Sequence, residues 1–77
     1  MSSIAEKIRA ILAQQLDVDE ERIKETTDIA EELGADSLDV VELMMAVEEE
    51  FSLSIDEGAA KTFKTIGDVA KYIEEKR

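Results

Sequence analysis

Asp36-Ser37-Leu38-Asp39-Val40-Val41-Glu42-Leu43-Met44-Met45-Ala46-Val47-Glu48-Glu49-Glu50-Phe51 is the stretch that decides the fold. It holds no Gly or Pro, and its apolar residues recur at helical spacing, which predicts a helix from Asp36 or Ser37 to about Phe51. At about 100° per residue those apolar residues form two stripes. Val40, Leu43, Met44, Val47 and Phe51 make one face, which must be core. Leu38, Val41 and Met45 make a second stripe about a third of a turn away. Asp39, Glu42, Glu49 and Glu50 cover the rest, with Glu48 between the stripes. A helix with one buried face needs one stripe. The second either packs on another segment of the chain or is an apolar strip for a partner, rimmed by acids.

Three further helices follow from pattern. Ser3-x-x-Glu6 has the form of a capping box. It opens a first segment in which Ile4, Ile8, Ile11, Leu12 and Leu16 recur at helical spacing. Asp17 to Ala35 reads as a long connection anchored by Val18, Ile23, Ile29 and Leu33; connections of this length are often functional. A short helix near Asp56–Lys61 has Asp56 as its cap. A last helix opens with the box Thr65-x-x-Asp68, carries the stripe Ile66, Val69, Ala70 and Ile73, and ends on Lys76 and Arg77, which suit its C-terminal dipole. Phe51-Ser52-Leu53-Ser54-Ile55 alternates too briefly for a strand with no partner and reads as a loop. The expected fold is all-α, a small four-helix bundle with a long first loop and a short third helix, in one domain spanning 1–77.

Composition narrows the chemistry. The chain has 77 residues and is 44% hydrophobic, enough for a thin core. Without cysteine there is neither a disulfide nor a thiolate metal site, and without histidine the usual general base is missing. No stretch reaches the ~20 apolar residues of a membrane span, and the N-terminus lacks an uninterrupted apolar signal region. A cytoplasmic location is the default expectation, although an organelle protein stripped of its transit peptide would look the same. The net charge is −11, and from Glu25 to Ala60 twelve acids stand without a single Lys or Arg. Such a field repels nucleic acid and anionic membrane and attracts basic protein patches, or else simply keeps the chain soluble.

Ser37 stands at the first turn of the decisive helix. It could be no more than part of a turn and cap, Gly34-Ala35-Asp36-Ser37. A phosphodiester attached there, however, would meet the positive end of the helix dipole and unpaired backbone amides. From Leu33-Gly34-Ala35-Asp36-Ser37-Leu38-Asp39 through Val41-Glu42-Leu43, Met45-Ala46 and Glu48-Glu49-Glu50-Phe51 the sequence resembles the prosthetic-group attachment motif of freestanding, bacterial-type fatty acid synthase acyl carrier proteins. The likeness extends to the opening helix, the acidic first loop and Thr65-Ile66-Gly67-Asp68 with Tyr72-Ile73. Asp56, where that family often has proline, and Ile29, where it often has phenylalanine, depart from the pattern.

The resemblance implies a non-enzymatic, monomeric carrier. Ser37 would bear 4′-phosphopantetheine donated by coenzyme A, and Asp36 would help the phosphopantetheinyl transferase engage. Leu38, Asp39, Val41, Glu42, Met45 and Glu48 would dock the transferase and fatty acid synthase enzymes through their basic patches. Val40, Leu43, Met44, Val47 and Phe51 would line an acyl cavity. No metal site, nucleic acid or membrane contact is implied. A related carrier for polyketide or specialised lipid synthesis would share these residues, and an acidic interaction module without a cofactor would share the charge alone. A Gly-Asp-Ser-Leu hydrolase is disfavoured because Ala35 separates Gly34 from Asp36 and no histidine can activate Ser37. The calcium-loop reading of Asp17-x-Asp19-x-Glu21 lacks the glycine and terminal acid in register.

The uninterrupted run of acids carries a stability prediction. Their mutual repulsion is greater in the folded chain than in the expanded one, and the Debye length falls from ~30 Å to ~10 Å between 0.01 M and 0.1 M salt. The melting temperature should therefore rise with sodium chloride at neutral pH, and further with magnesium at matched ionic strength. Equal melting temperatures throughout the series would mean that the acids are already paired or too far apart to interact.

Overall fold

The computed structural model describes residues 2–76. Helix α1 spans Ser3–Leu16, α2 Ile29–Leu33, α3 Ser37–Phe51, α4 Glu57–Ala60 and α5 Ile66–Lys76, with a 3-10 turn at Glu20–Arg22. The helical bundle expected from the pattern is present, and α3 begins and ends where its periodicity places it. Arg77 lies outside the described residues, while Lys76 does fall in the last turn of α5.

Each helix start is fixed by a side-chain oxygen on a backbone amide that would otherwise be orphaned. The α1 cap is Ser2 rather than Ser3: the Ser2 hydroxyl accepts the Ala5 N–H at 3.1 Å. The expected box fails because the Glu6 N–H bonds the Ser2 carbonyl at 2.9 Å, which puts Ser3 inside the first turn. At α3 the box is complete. Asp36 Oδ1 accepts the Asp39 N–H at 2.9 Å, and Asp39 Oδ2 accepts the Asp36 N–H at 3.1 Å. Asp56 caps α4 through the Ala59 N–H at 3.2 Å. Before α5, Asp68 accepts from Thr65 N–H at 3.2 Å and Thr65 Oγ1 accepts from Asp68 N–H at 3.1 Å, as the pattern predicted.

The long connection is more ordered than its composition suggests. Besides the 3-10 turn it contains α2, capped by Asp28 on the Glu31 N–H at 2.8 Å and ended by Gly34 in the left-handed region, φ 72°. The apolar pattern could not announce a helix of five residues. Ile23 and Ile29 are buried anchors, and Val18 and Leu33 pack partly buried against the core, as expected. The connection is also tied to the start of α5. The Ile29 N–H donates to Lys64 O at 2.8 Å, and the Gly67 N–H to Glu25 O at 3.0 Å. A Cβ at Gly67 would stand 3.2 Å from that same carbonyl, so this close approach is open only to glycine or to a shifted loop.

Ile8 and Leu12 of α1, Leu43 and Val47 of α3, and Ile66, Val69 and Ile73 of α5 are the fully buried centre. Burying each such side chain contributes about 1.5–3 kcal/mol. Helix α1 lies between α3 and α5 as the shared packing partner. A further link joins α1 to α3, from the Gln15 amide to the Asp39 carbonyl.

Asp68 gives the fold a measurable pH dependence. The Lys64 N–H, at 2.9 Å, is the main cause that holds its carboxyl below the usual range, with the Thr65 bonds adding and partial burial opposing. A depressed folded value stabilises the protein above the unfolded value of about 3.9, and the contribution is lost as pH falls through the folded value. Asp68→Ala should cost about 1 kcal/mol at neutral pH. The gap from the parent, followed by urea unfolding, should close below about pH 4. A gap that persists unchanged in acid would show that the carboxylate bonds are not what stabilises this helix start.

Candidate functional site

The capping box at Asp36 determines what Ser37 can do. With Asp36 as the cap, Ser37 becomes the first residue of α3 and is exposed. The amides of Ser37 and Leu38 are the donors a helix start leaves free, because the Asp39 N–H is taken by Asp36. They and the helix dipole favour an anion at this end. The Asp36 carboxylate has a structural task here through one of its oxygens, whatever else it engages.

The two stripes of α3 have separate fates. Leu43 and Val47 are fully buried and Met44 nearly so. Leu38, Val41 and Met45 are 63%, 53% and 61% exposed. Among the described residues no segment covers the second stripe, so the packing alternative left open by periodicity is closed. Asp39 is half-buried, its carboxylate committed to the box, while Glu42 is exposed beside the stripe. Glu48 is also half-buried, and its carboxylate accepts the Ile55 N–H at 2.7 Å.

A cleft of about 590 Å³ opens beside α3. Ser37, Val40, Val41, Met44, Met45 and Glu48 line it from α3. Ile55, Ala60 and Phe63 face them from the segment around α4, with the exposed Glu57 and Lys61. Of the residues expected to line a cavity, Val40 and Met44 do so. Leu43 and Val47 do not, because they are turned wholly into the core, and Phe51 stands half-buried with the Lys7 ammonium 5.9 Å from its ring centroid. Ile55, Ala60 and Phe63 escaped the sequence reading because they lie outside α3. Their only signal is isolated apolar residues flanking a short polar helix. Phe63 is steadied by Tyr72, edge to face at 5.5 Å between ring centroids.

Among the described residues no helix is long and apolar enough to cross a membrane. Comparison with known proteins adds to this geometry. The family described as "Phosphopantetheine attachment site" matches residues 6–73. The chain is similar to the solution structure of a candidate acyl carrier protein from Anaplasma phagocytophilum. That match has 32% identity, covers 97% of this chain and 89% of the other, and has a TM-score of 0.87. It is similar also to a candidate acyl carrier protein from Mycobacterium tuberculosis, at 29% identity over 97% of this chain and 100% of the other, with a TM-score of 0.89.

The split of α3 into an inner and an outer stripe predicts opposite costs for two chemically similar truncations. Met45→Ala should change stability by no more than about 0.5 kcal/mol, the usual range for a surface substitution. Leu43→Ala should cost about 2–5 kcal/mol. Urea unfolding of the two variants decides, and a cost at Met45 comparable to that at Leu43 would return the outer stripe to the core.

Proposed function

The chain belongs to the phosphopantetheine-attachment family of carrier proteins, and from that premise we propose that it carries acyl chains as thioesters on an arm joined to Ser37 and presents them to the enzymes of fatty acid synthesis. The observation that supports this most is positional. Ser37 is at once an exposed hydroxyl, the first residue of a helix with free amides, and part of the lining of an apolar cleft.

The residues present fit the group. Ser37 Oγ is open to esterification by a transferase, and the start of α3 accommodates the resulting phosphodiester charge. When bound, 4′-phosphopantetheine supplies the thiol that this cysteine-free chain lacks. An apolar chain leading back from Ser37 meets Val40, Met44, Ile55 and Phe63, which exclude water from it. Leu38, Val41 and Met45 provide the apolar centre of a docking surface, and Glu42 and Asp39 lie on its acidic side. The twelve acids between Glu25 and Ala60 steer a basic patch on the enzyme toward it. The chain itself performs no chemistry in this reading.

Incubation with coenzyme A and a phosphopantetheinyl transferase, followed by intact-mass measurement, tests the proposal. The parent should gain one arm and Ser37→Ala none, while the variant keeps its fold because Asp36 still caps α3. Glu42→Lys should slow the transfer several-fold at low salt, with the difference shrinking as salt is raised. An arm found on Ser37→Ala, at Ser52 or Ser54 for instance, would overturn the assignment.

A further inference from the structure

Glu48 was expected among the docking acids, but its carboxylate is engaged inside the domain. It accepts the Ile55 N–H at 2.7 Å across the loop that follows α3, while the Glu48 carbonyl accepts the Leu53 N–H at 3.1 Å. The next amide along, Asp56 N–H, donates to the Tyr72 hydroxyl at 3.2 Å. Asp56 in turn caps α4. That helix is a single turn with no fully buried residue, and only Ala60 of it packs partly buried against the core. Yet Ile55, Glu57 and Ala60 form the wall of the cleft that faces Val40 and Met44. Beside the burial of Ile55 and the packing of Ala60 and Phe63 on the core, polar ties at its start hold this wall, and the shortest of them is the Glu48 carboxylate.

We infer that Glu48 is a positioning residue for the cleft: it latches the segment from Ile55 to Ala60 against α3 and governs how readily the cleft opens. The inference rests on the reading that the cleft receives the chain carried from Ser37.

Amide hydrogen exchange followed by NMR on the unmodified chain tests the latch directly. In Glu48→Ala the Ile55 amide should exchange about ten- to hundredfold faster, the effect of losing a hydrogen bond to a charged acceptor. The amides of Leu12 and Ile73 should keep their rates. Glu48→Gln retains an acceptor oxygen and should preserve most of the protection. Unchanged Ile55 exchange in Glu48→Ala would overturn the proposal, and so would a uniform acceleration along the whole chain, which would mark Glu48 as a support of overall stability only. The second readout is the cleft. With a decanoyl chain on the arm, hydroxylamine should cleave the thioester faster in Glu48→Ala than in the parent or in Glu48→Gln, and equal rates would overturn the link to cleft opening. Failure of the parent to accept the arm would defeat the carrier reading instead, and the exchange result on the unmodified chain would still decide the latch.

Discussion

Helix α3 carries more apolar surface than one core can take, and the burial of Leu43 and Val47 with Ile8, Leu12, Val69 and Ile73 settles which part goes inside. That choice fixes the rotation of the helix about its axis. Once it is fixed, Leu38, Val41 and Met45 must face water, and Val40 and Met44 must look into the cleft. A rotation by a third of a turn would bury the outer stripe and expose the residues that now anchor α1. Burial would be exchanged rather than lost, but the fit of Leu43 and Val47 among the other core residues would go, and mismatched cores cost about 1–3 kcal/mol per misfitted side chain. The outer stripe is therefore stable as an exposed feature, although exposing it is unfavourable in itself.

The acids have a second use beside charge. Asp28, Asp36, Asp56 and Asp68 each accept a backbone N–H at a helix start, Asp39 completes the box at α3, and Glu32 and Glu48 hold the amides of Asp28 and Ile55. Short helices in a chain without proline or disulfides depend on such caps, since each helix start leaves amides that only a side chain or water can satisfy. The two ion pairs among the described residues, Lys7–Glu50 and Arg9–Glu20, are each 3.8 Å long and partly exposed, so they contribute little. The same carboxylates thus order the backbone locally and build a field that basic surfaces can sense.

Most of this was legible because caps and periodicity are local. The Asp36 cap, the Thr65–Asp68 box, the extent of α3 and the anchors Ile23 and Ile29 each depend on residues a few positions apart. What escaped the sequence depends on distance or on fine competition. The box read at Ser3-x-x-Glu6 is displaced by one residue, because the Ala5 amide bonds the hydroxyl of Ser2. Helix α2 is shorter than two turns and leaves almost no periodic trace. The far wall of the cleft comes from Ile55, Ala60 and Phe63, which nothing in the α3 pattern could bring opposite Val40. Glu48, read as lying between the stripes, entered the docking set through the family resemblance, and its partner Ile55 lies across a loop whose path the pattern did not reveal.

The claim on which the rest stands is the rotation of α3, and methyl NMR with a soluble paramagnetic agent measures it most directly. In the unmodified protein the methyl groups of Leu38, Val41 and Met45 should relax strongly with added agent, while those of Leu43 and Val47 should be nearly untouched and Met44 close to them. Protection of Met45 and Val41 equal to that of Leu43 and Val47 would contradict the account, because the stripe assigned to partners would then belong to the core.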